Sequence, residues 1–233
     1  MLDAIRLIVG AGILTFASYT DIKTRRASNA LWIIMGSIGI CLLIIQYFTV
    51  GFTNIYYLIF IPIMIIFMYI LFQLRLIFGG ADAKAIMALA LLVPIVPSLF
   101  DFPLWKESIM PGSWVIFANS IVLFLFIPLS ILIYNISKKS IKLPYCVLGY
   151  KTSVEKAREK FVWPLERINN GKRKFSYMPT GIDVEEQLEE FIRNGIKEIW
   201  VTPKVPFMIP LLAGFICSFF LGDILTHLLN SIA

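Results

Sequence analysis

The chain has 233 residues, is 58% hydrophobic and has a mean hydropathy of +0.81; a soluble globular domain does not carry that balance, whereas a protein with several membrane spans does. Three isolated cysteines with no CxxC pair, and His227 as the single histidine, exclude a disulfide framework and argue against zinc or His-based chemistry. The formal charge of +6 is informative loop by loop, because Lys and Arg mark the cytoplasmic side of a membrane protein; no nucleic-acid module, phosphate-cradling loop or cofactor motif accompanies it, and no nucleic acid, cofactor or metal is expected.

The first predicted span runs from Leu2 to Tyr19, with Asp3 and Arg6 near its start, and lacks the basic leader of a cleavable signal peptide. The polar stretch from Thr20 to Asn29 carries three cations and one acid, and Ser28 or Asn29 is placed to cap the next helix. A second span covers Ala30 to about Thr49, followed by an uncharged turn from Gly51 to Asn54. The third runs from about Ile55 to Phe78, with a kink expected at Pro62 and Arg75 near its end. The fourth runs from about Asp82 to Leu99, where Pro94 and Pro97 predict an early end or a bend. A loop with Asp101, Lys106 and Glu107 leads to the fifth span, about Ser113 to Ile136.

Composition then shifts. Residues 137–204 hold 14 Lys/Arg and 9 Asp/Glu with no run long enough to span, which predicts a soluble insert. Strands are expected over Phe161–Ile168 and Lys172–Met178 around the turn Asn169-Asn170-Gly171. A helix is expected from Asp183 to Asn194 with Gly195 as its C-cap and Val184, Leu188, Phe191 and Ile192 on one face. A further strand covers Glu198–Thr202, and a sixth span, about Val205 to Leu228, follows. The expected fold is thus an α-helical polytopic membrane protein: helices 1–5 in residues 1–136, a small α+β insert in 137–204, and the sixth helix in 205–233. The basic loops 20–29, 79–84 and 137–204 all fall on one side of such a chain, so that side is expected to be cytoplasmic and both termini external.

Two acids share one expected depth. The stretch Phe78-Gly79-Gly80-Ala81-Asp82-Ala83-Lys84 joins two apolar runs and puts a carboxylate and an ammonium where a membrane helix begins, a position that costs several kcal/mol unless the charge has a partner, protein or water beside it. Asp82 read alone is an N-cap, and Asp21 read alone is an interfacial acid neutralised by Lys23, Arg25 or Arg26. Together they allow a catalytic dyad. The paired glycines let another backbone approach closely before Asp82.

Gly79-Gly80-Ala81-Asp82-Ala83-Lys84 resembles the G-x-G-D loop of the GxGD intramembrane aspartyl proteases, above all the G-G-G-D-x-K form of type IV prepilin peptidases. The segment Asp21-Ile22-Lys23-Thr24-Arg25-Arg26-Ala27-Ser28-Asn29 resembles the D-[IL]-x-x-x-x-I-P-N stretch of the same enzymes. Six spans and a polar insert before a last helix that opens Pro206-Phe207-Met208-Ile209-Pro210 look most like the archaeal, preflagellin-processing branch. Two departures stand out: Ala81 replaces the second glycine, and Ala27-Ser28 replaces Ile-Pro.

The resemblance implies an aspartic endopeptidase with Asp21 and Asp82 as the catalytic pair and Gly79, Gly80, Ala81 and Lys84 in the active-site loop. It implies membrane-inserted preflagellin or type IV prepilin-like precursors with short basic leaders as partners, and implies no oligomeric state. The pair would share one proton and titrate as a unit, and the glycine break allows the two carboxyl groups to stand apart without substrate. Asp183, Glu185, Glu186, Glu189 and Glu190 either attract the leader or form the solvated face of a helix, and Lys84 either steadies a carboxylate or sits at the interface. A rhomboid-type serine protease using Ser113 and His227 lacks G-x-S-G. The different-class alternative is a proton-coupled transporter or channel using both aspartates as a relay, but no internal repeat supports it. A structural scaffold would tolerate either Asp→Asn change.

Overall fold

The computed structural model describes residues 1–52, 55–74, 76, 79–169, 171–177 and 184–232. Asn54, Arg75, Phe78, Asn170, Met178 and Asp183, all used in the readings above, lie outside the described residues. The chain divides into two units, Met1–Phe124 with Pro206–Ala233, and Leu125–Val205.

The first unit is helical: α1 (Leu2–Thr24), α2 (Asn29–Thr49), a 3-10 turn (Ile55–Ile59) leading into α3 (Phe60–Gln73), α4 (Gly80–Leu92), α5 (Gly112–Phe124), α10 (Met208–Phe220) and α11 (Ile224–Ile232). Among the described residues, four segments are long and apolar enough to cross a bilayer: Leu2–Thr24, Asn29–Thr49, Ile55–Gln73 and Gly112–Ser137. Their inward stripes follow helical spacing, as in Trp32, Met35, Gly36, Gly39 and Leu42 of α2. Their outward faces are also apolar, with Ile33, Ile44, Ile66 and Tyr69 exposed. Helices that are apolar on both faces belong in a membrane, where lipid covers the outer one. The core joins Leu14, Met35, Met64, Met68, Ile86, Leu89, Leu92 and Phe215 from five helices.

Several boundaries differ from expectation. Pro62 does not kink a long helix; it lies in the first turn of α3, where its missing N–H costs nothing. The fourth apolar run stops being helical at Leu92, just ahead of Pro94, so α4 has 13 residues. The expected fifth span is interrupted at Leu125, before Pro128 in the first turn of the helix Phe126–Ser137. The last apolar run is not one helix. It breaks at Gly222, with φ +102, and Asp223. Asp223 is fully buried and caps α11: it accepts from the Thr226 N–H at 3.0 Å, the Thr226 hydroxyl at 2.6 Å and the Ser108 hydroxyl at 2.8 Å. Asn119 of α5 closes the break by donating to the Gly222 carbonyl at 2.8 Å and accepting from the Ile224 N–H at 3.0 Å. Hydropathy alone cannot see such a break, because its polar groups satisfy one another inside an apolar run.

The second unit holds α6 (Phe126–Ser137), α7 (Tyr145–Leu148), β1 (Tyr150–Ser153), α8 (Val154–Arg158), β2 (Val162–Pro164), β3 (Glu166–Asn169), β4 (Lys172–Phe175), α9 (Val184–Arg193) and β5 (Glu198–Pro203). One antiparallel sheet has the order β1-β5-β2, and β3 pairs with β4 as the expected hairpin. The expected strand Phe161–Ile168 is two strands in different sheets. The switch falls at buried Leu165, whose N–H bonds to Trp200 rather than to the hairpin, directly after Pro164, which has no N–H. β1, α7 and α8 were not expected. Leu188 and Phe191 of α9 are buried as expected, but Ile192 is exposed and Gln187 takes the inward position. Gly195, with φ +68, ends α9. On the acidic face of α9, Glu189 pairs with Arg158 at 3.2 Å and Arg193 at 3.4 Å. Buried Glu166 is held by Arg173 across the hairpin.

Candidate active site

Asp21 lies in the last turn of α1 rather than in a loop. The apolar run ends at Tyr19, but helix continues through Thr24, because polar residues extend a helix as readily as apolar ones do. It stops at Arg25, which adopts a left-handed conformation (φ 55) and whose N–H bonds to the Asp21 carbonyl at 3.0 Å. Three residues later Ser28 caps α2, its hydroxyl accepting from the Ala30 N–H at 3.3 Å. Serine therefore supplies at position 28 a cap that proline could not.

Gly79 is the N-cap of α4, and Gly80, Ala81 and Asp82 form its first turn. The helix expected from about Asp82 thus starts two residues earlier, with Gly79 and not Asp82 as its N-cap. The glycine at 79 has a local reason: any side chain there would overlap the Asp82 carboxylate, which folds back over it. The nearest group to a side chain at Gly79 would be this carboxylate. At Gly80 a Cβ would stand 3.3 Å from the Phe72 ring, so space is tight there also.

α1 packs against α4; Asp21 lies in the last turn of the one and Asp82 in the first turn of the other. Asp21 and Asp82 come within electrostatic reach of each other, and the Arg25 guanidinium acts on Asp21. No hydrogen bond joins the two carboxylates. Lys84 makes no ion pair with either; its ammonium donates to the Asn29 side-chain oxygen at 2.9 Å. That bond ties the two sequence motifs together, since Asn29 closes one and Lys84 the other. The signal for it was in the motifs, but neither residue's side-chain partner follows from spacing. Ser113 caps nothing catalytic and is buried, and His227 stacks on Trp105 at 4.0 Å. Among the described residues no cluster of His, Cys, Asp or Glu could hold a metal ion.

Two carboxyl groups at converging helix ends, with no metal ligands beside them, suit acid–base activation of water. Residues 141–224 match the archaeal peptidase A24 C-terminus type II. A preflagellin peptidase from Methanococcus voltae is 28% identical over 230 residues, covering 90% of this chain and 92% of the relative. A preflagellin peptidase from Methanococcus maripaludis is 27% identical over 235 residues, with 94% and 96% covered. One from Methanocaldococcus jannaschii is 28% identical over 230 residues, with 94% of each covered. The type IV leader peptidase family matches residues 8–136, more than half of the chain and both aspartate motifs, and the chain belongs to that family of membrane proteases.

Proposed function

We propose that the chain is an aspartic endopeptidase that removes the leader from preflagellin or type IV prepilin-like precursors, with Asp21 and Asp82 as the catalytic pair. The observation that carries this reading is that α1, which holds Asp21, packs against α4, which holds Asp82, with the two carboxyl groups within electrostatic reach of each other. One ionised carboxylate takes a proton from water as the oxygen attacks the scissile carbonyl, and the other carboxylic acid gives its proton to the carbonyl oxygen. Collapse of the tetrahedral intermediate breaks the C–N bond and returns a proton to the leaving amine. Gly79, Gly80 and Ala81 leave room beside Asp82, and Lys84 fastens the start of α4 to the start of α2 through Asn29. Family membership and the relatives' names support this reading over a proton-coupled transporter.

The same reading gives the chain six membrane crossings, with α4 and the α10–α11 pair supplying the two that are shorter than a full span. Residues 137–204 form the insert between the five helices of 1–136 and the last segment, 205–233. The basic segments set the dyad and the insert on the cytoplasmic side and both termini outside. A basic leader is then cut where it meets the membrane.

The test is cleavage of a preflagellin in membranes by wild type, Asp21→Asn and Asp82→Asn, each checked for intact helical content. Either substitution is expected to lower cleavage by about a hundred- to ten-thousandfold, the range for a lost general acid or base. Near-normal cleavage by either folded variant would overturn the two-carboxylate reading.

A further inference from the structure

The loop between α4 and α5 carries a turn that local rules do not favour. Leu99 and Phe102 exchange both backbone hydrogen bonds at 3.0 Å, which leaves Phe100 and Asp101 as a two-residue turn. Phe100 has φ 56. A tight turn with positive φ at its first central residue favours glycine there, and a bulky side chain in that conformation is strained. The Phe100 ring gains no protein burial in return, being 92% exposed. Leu104 and Ile109 on the same loop are 62% and 78% exposed.

The level of this loop follows from its partners in the helical unit. Asp3, 18 residues before Asp21 on α1, lies about 27 Å from it along the helix, and its carboxylate accepts from the Ser98 N–H at 3.0 Å. On α10 the Met208 carbonyl accepts from the Ser18 hydroxyl at 3.1 Å. A Cβ on Gly10 would strike the Phe215 ring, so α10 runs antiparallel to α1. Phe220 is therefore about 18 Å further on, near the level of Arg6. The Phe220 and Leu221 carbonyls accept from the Leu104 and Trp105 N–H groups at 3.0 and 2.8 Å. The loop is thus tied at two points to a level close to the roughly 30 Å thickness of the hydrocarbon layer, measured from the aspartates.

Its backbone suits that level. The N–H groups of Leu99, Phe102, Leu104 and Trp105 all bond to carbonyls, and that of Met110 bonds to the Ser108 hydroxyl at 3.2 Å. Irregular backbone is tolerated at a membrane edge only when its polar groups are satisfied in this way. Exposed Asp101, Lys106 and Glu107 alternate with the apolar side chains, a mixture that fits the headgroup boundary better than either bulk water or the hydrocarbon core. Three separate apolar side chains fall well short of the roughly 800 Å² per partner that a stable protein interface buries. Removal of the Phe100 ring from water by lipid supplies the gain that offsets its strain.

We infer that the loop from Leu99 to Ile109 is an interfacial anchor that seats Phe100, Leu104 and Ile109 among the upper acyl chains of the leaflet opposite the two aspartates, with Asp101, Lys106 and Glu107 among the phospholipid headgroups. The inference rests on the reading that sets the aspartates at one membrane face. The anchor holds Ser98, six residues beyond the end of α4, and so limits how far the helix that carries Asp82 can move along the membrane normal.

The experiment places benzoylphenylalanine at position 100, 104 or 109 of the full chain, in vesicles of phosphatidylglycerol and phosphatidylcholine. Ile33, an exposed residue of α2, is the control for a side chain that faces lipid. Each protein is checked for native helical content, and three positions keep the test open if one does not fold. After irradiation, phospholipid adducts at each loop position are expected within about threefold of the Ile33 yield, since side chains at the headgroup–acyl boundary also meet lipid C–H bonds. Fragmentation is expected to place them on the fatty-acyl part. Unreacted probe at all three loop positions beside a lipid adduct at Ile33 would overturn the inference, as would a second copy of the chain or an added precursor protein as the main crosslinked partner. No lipid adduct at Ile33 either would remove the membrane placement and the inference with it. Cleavage is not read, so failure of the peptidase reading shows only in the Asp21→Asn and Asp82→Asn assay.

Discussion

The packing of α2 against α4 makes a sharp prediction at Gly39. A Cβ built there would lie 2.7 Å from the Leu91 carbonyl carbon and the Leu92 nitrogen and 2.8 Å from the Leu91 oxygen. Ordinary contact begins at 3.4 Å, so Gly39→Ala is about 0.7 Å too close to three backbone atoms at once. A backbone cannot rotate aside as a side chain can, and the two helices must separate by about that amount. Overpacking of this kind costs about 1–3 kcal/mol, and the gain from replacing a mid-helix glycine by alanine is about 0.5–1 kcal/mol, so a net loss of about 1–2 kcal/mol is expected. Gly12→Ala is the matched control, because nothing lies within 4 Å of a Cβ at position 12, and it should stabilise slightly. Thermal unfolding in detergent reads both, and the Gly39→Ala midpoint is expected several degrees below that of Gly12→Ala. Cleavage should fall about tenfold or more, since the displaced helix carries Asp82 and misplacement near 1 Å costs up to about a hundredfold in rate. A Gly39→Ala protein as stable and as active as Gly12→Ala would refute the close approach of α2 and α4, and with it the account of how Asp82 is held.

Two further outcomes follow from polar groups outside the candidate dyad. Asp223→Ala removes the fully buried carboxylate that caps α11 and takes away the acceptor of the Thr226 N–H and of the Thr226 and Ser108 hydroxyls, a loss of about 2–4 kcal/mol, whereas folded Asp223→Asn should still cleave; abolished cleavage in that folded variant would make this break part of the active site. In the second unit, burial, reinforced by the Glu166 charge, raises the Tyr145 phenol above its ordinary value near 10, and burial together with Tyr134 raises that of Tyr150. The unfolded chain therefore releases these protons first, so the stability they support is present below about pH 10 and is lost above it. Tyr145→Phe should flatten that alkaline loss when unfolding is followed by tryptophan fluorescence between pH 8 and 11, and an unchanged slope would contradict the assignment.

The parts of the fold that were legible from residues are those governed by local rules. The start of α2, the β3–β4 hairpin and the stop at Gly195 all carry caps or turn residues that act over a few positions. The parts that were not legible depend on partners far away in the chain. Gly222 and Asp223 do carry a local break signal, but a polar break inside an apolar run becomes tolerable only through Ser108, which bonds Asp223, and Asn119, which bonds Gly222, each more than a hundred residues away. β1 escaped notice because Tyr150–Ser153 is only four residues long, and the strand it pairs with, β5, comes some fifty residues later. For the candidate site, the two aspartates and the glycines were visible as motifs. The Lys84–Asn29 bond was not, because it spans 55 positions.

Two helices of the first unit that are too short to span, α4 and α10, are more enclosed than the long ones, and that bears on where Asp82 lies. α4 and α10 each have seven buried residues in 13, against five in 23 for α1 and five in 21 for α2. A 13-residue helix extends about 20 Å, short of the roughly 30 Å hydrocarbon layer. Its unpaired end groups would each cost several kcal/mol in lipid, so such a helix is stable only where protein receives its ends. At the C-terminus of α10 this is what happens: the Leu104 and Trp105 N–H groups bond to the Phe220 and Leu221 carbonyls at 3.0 and 2.8 Å, and Asn119 takes the carbonyl of Gly222. At the N-terminus of α4 the carboxylate of Asp82 occupies the space over Gly79 that a side chain there would fill. A helix long enough to cross unaided would carry its first turn out into bulk water and away from the last turn of α1. Shortness, enclosure by α1, α2, α3 and α5, and an absent side chain at position 79 are together what keep Asp82 at the level of Asp21.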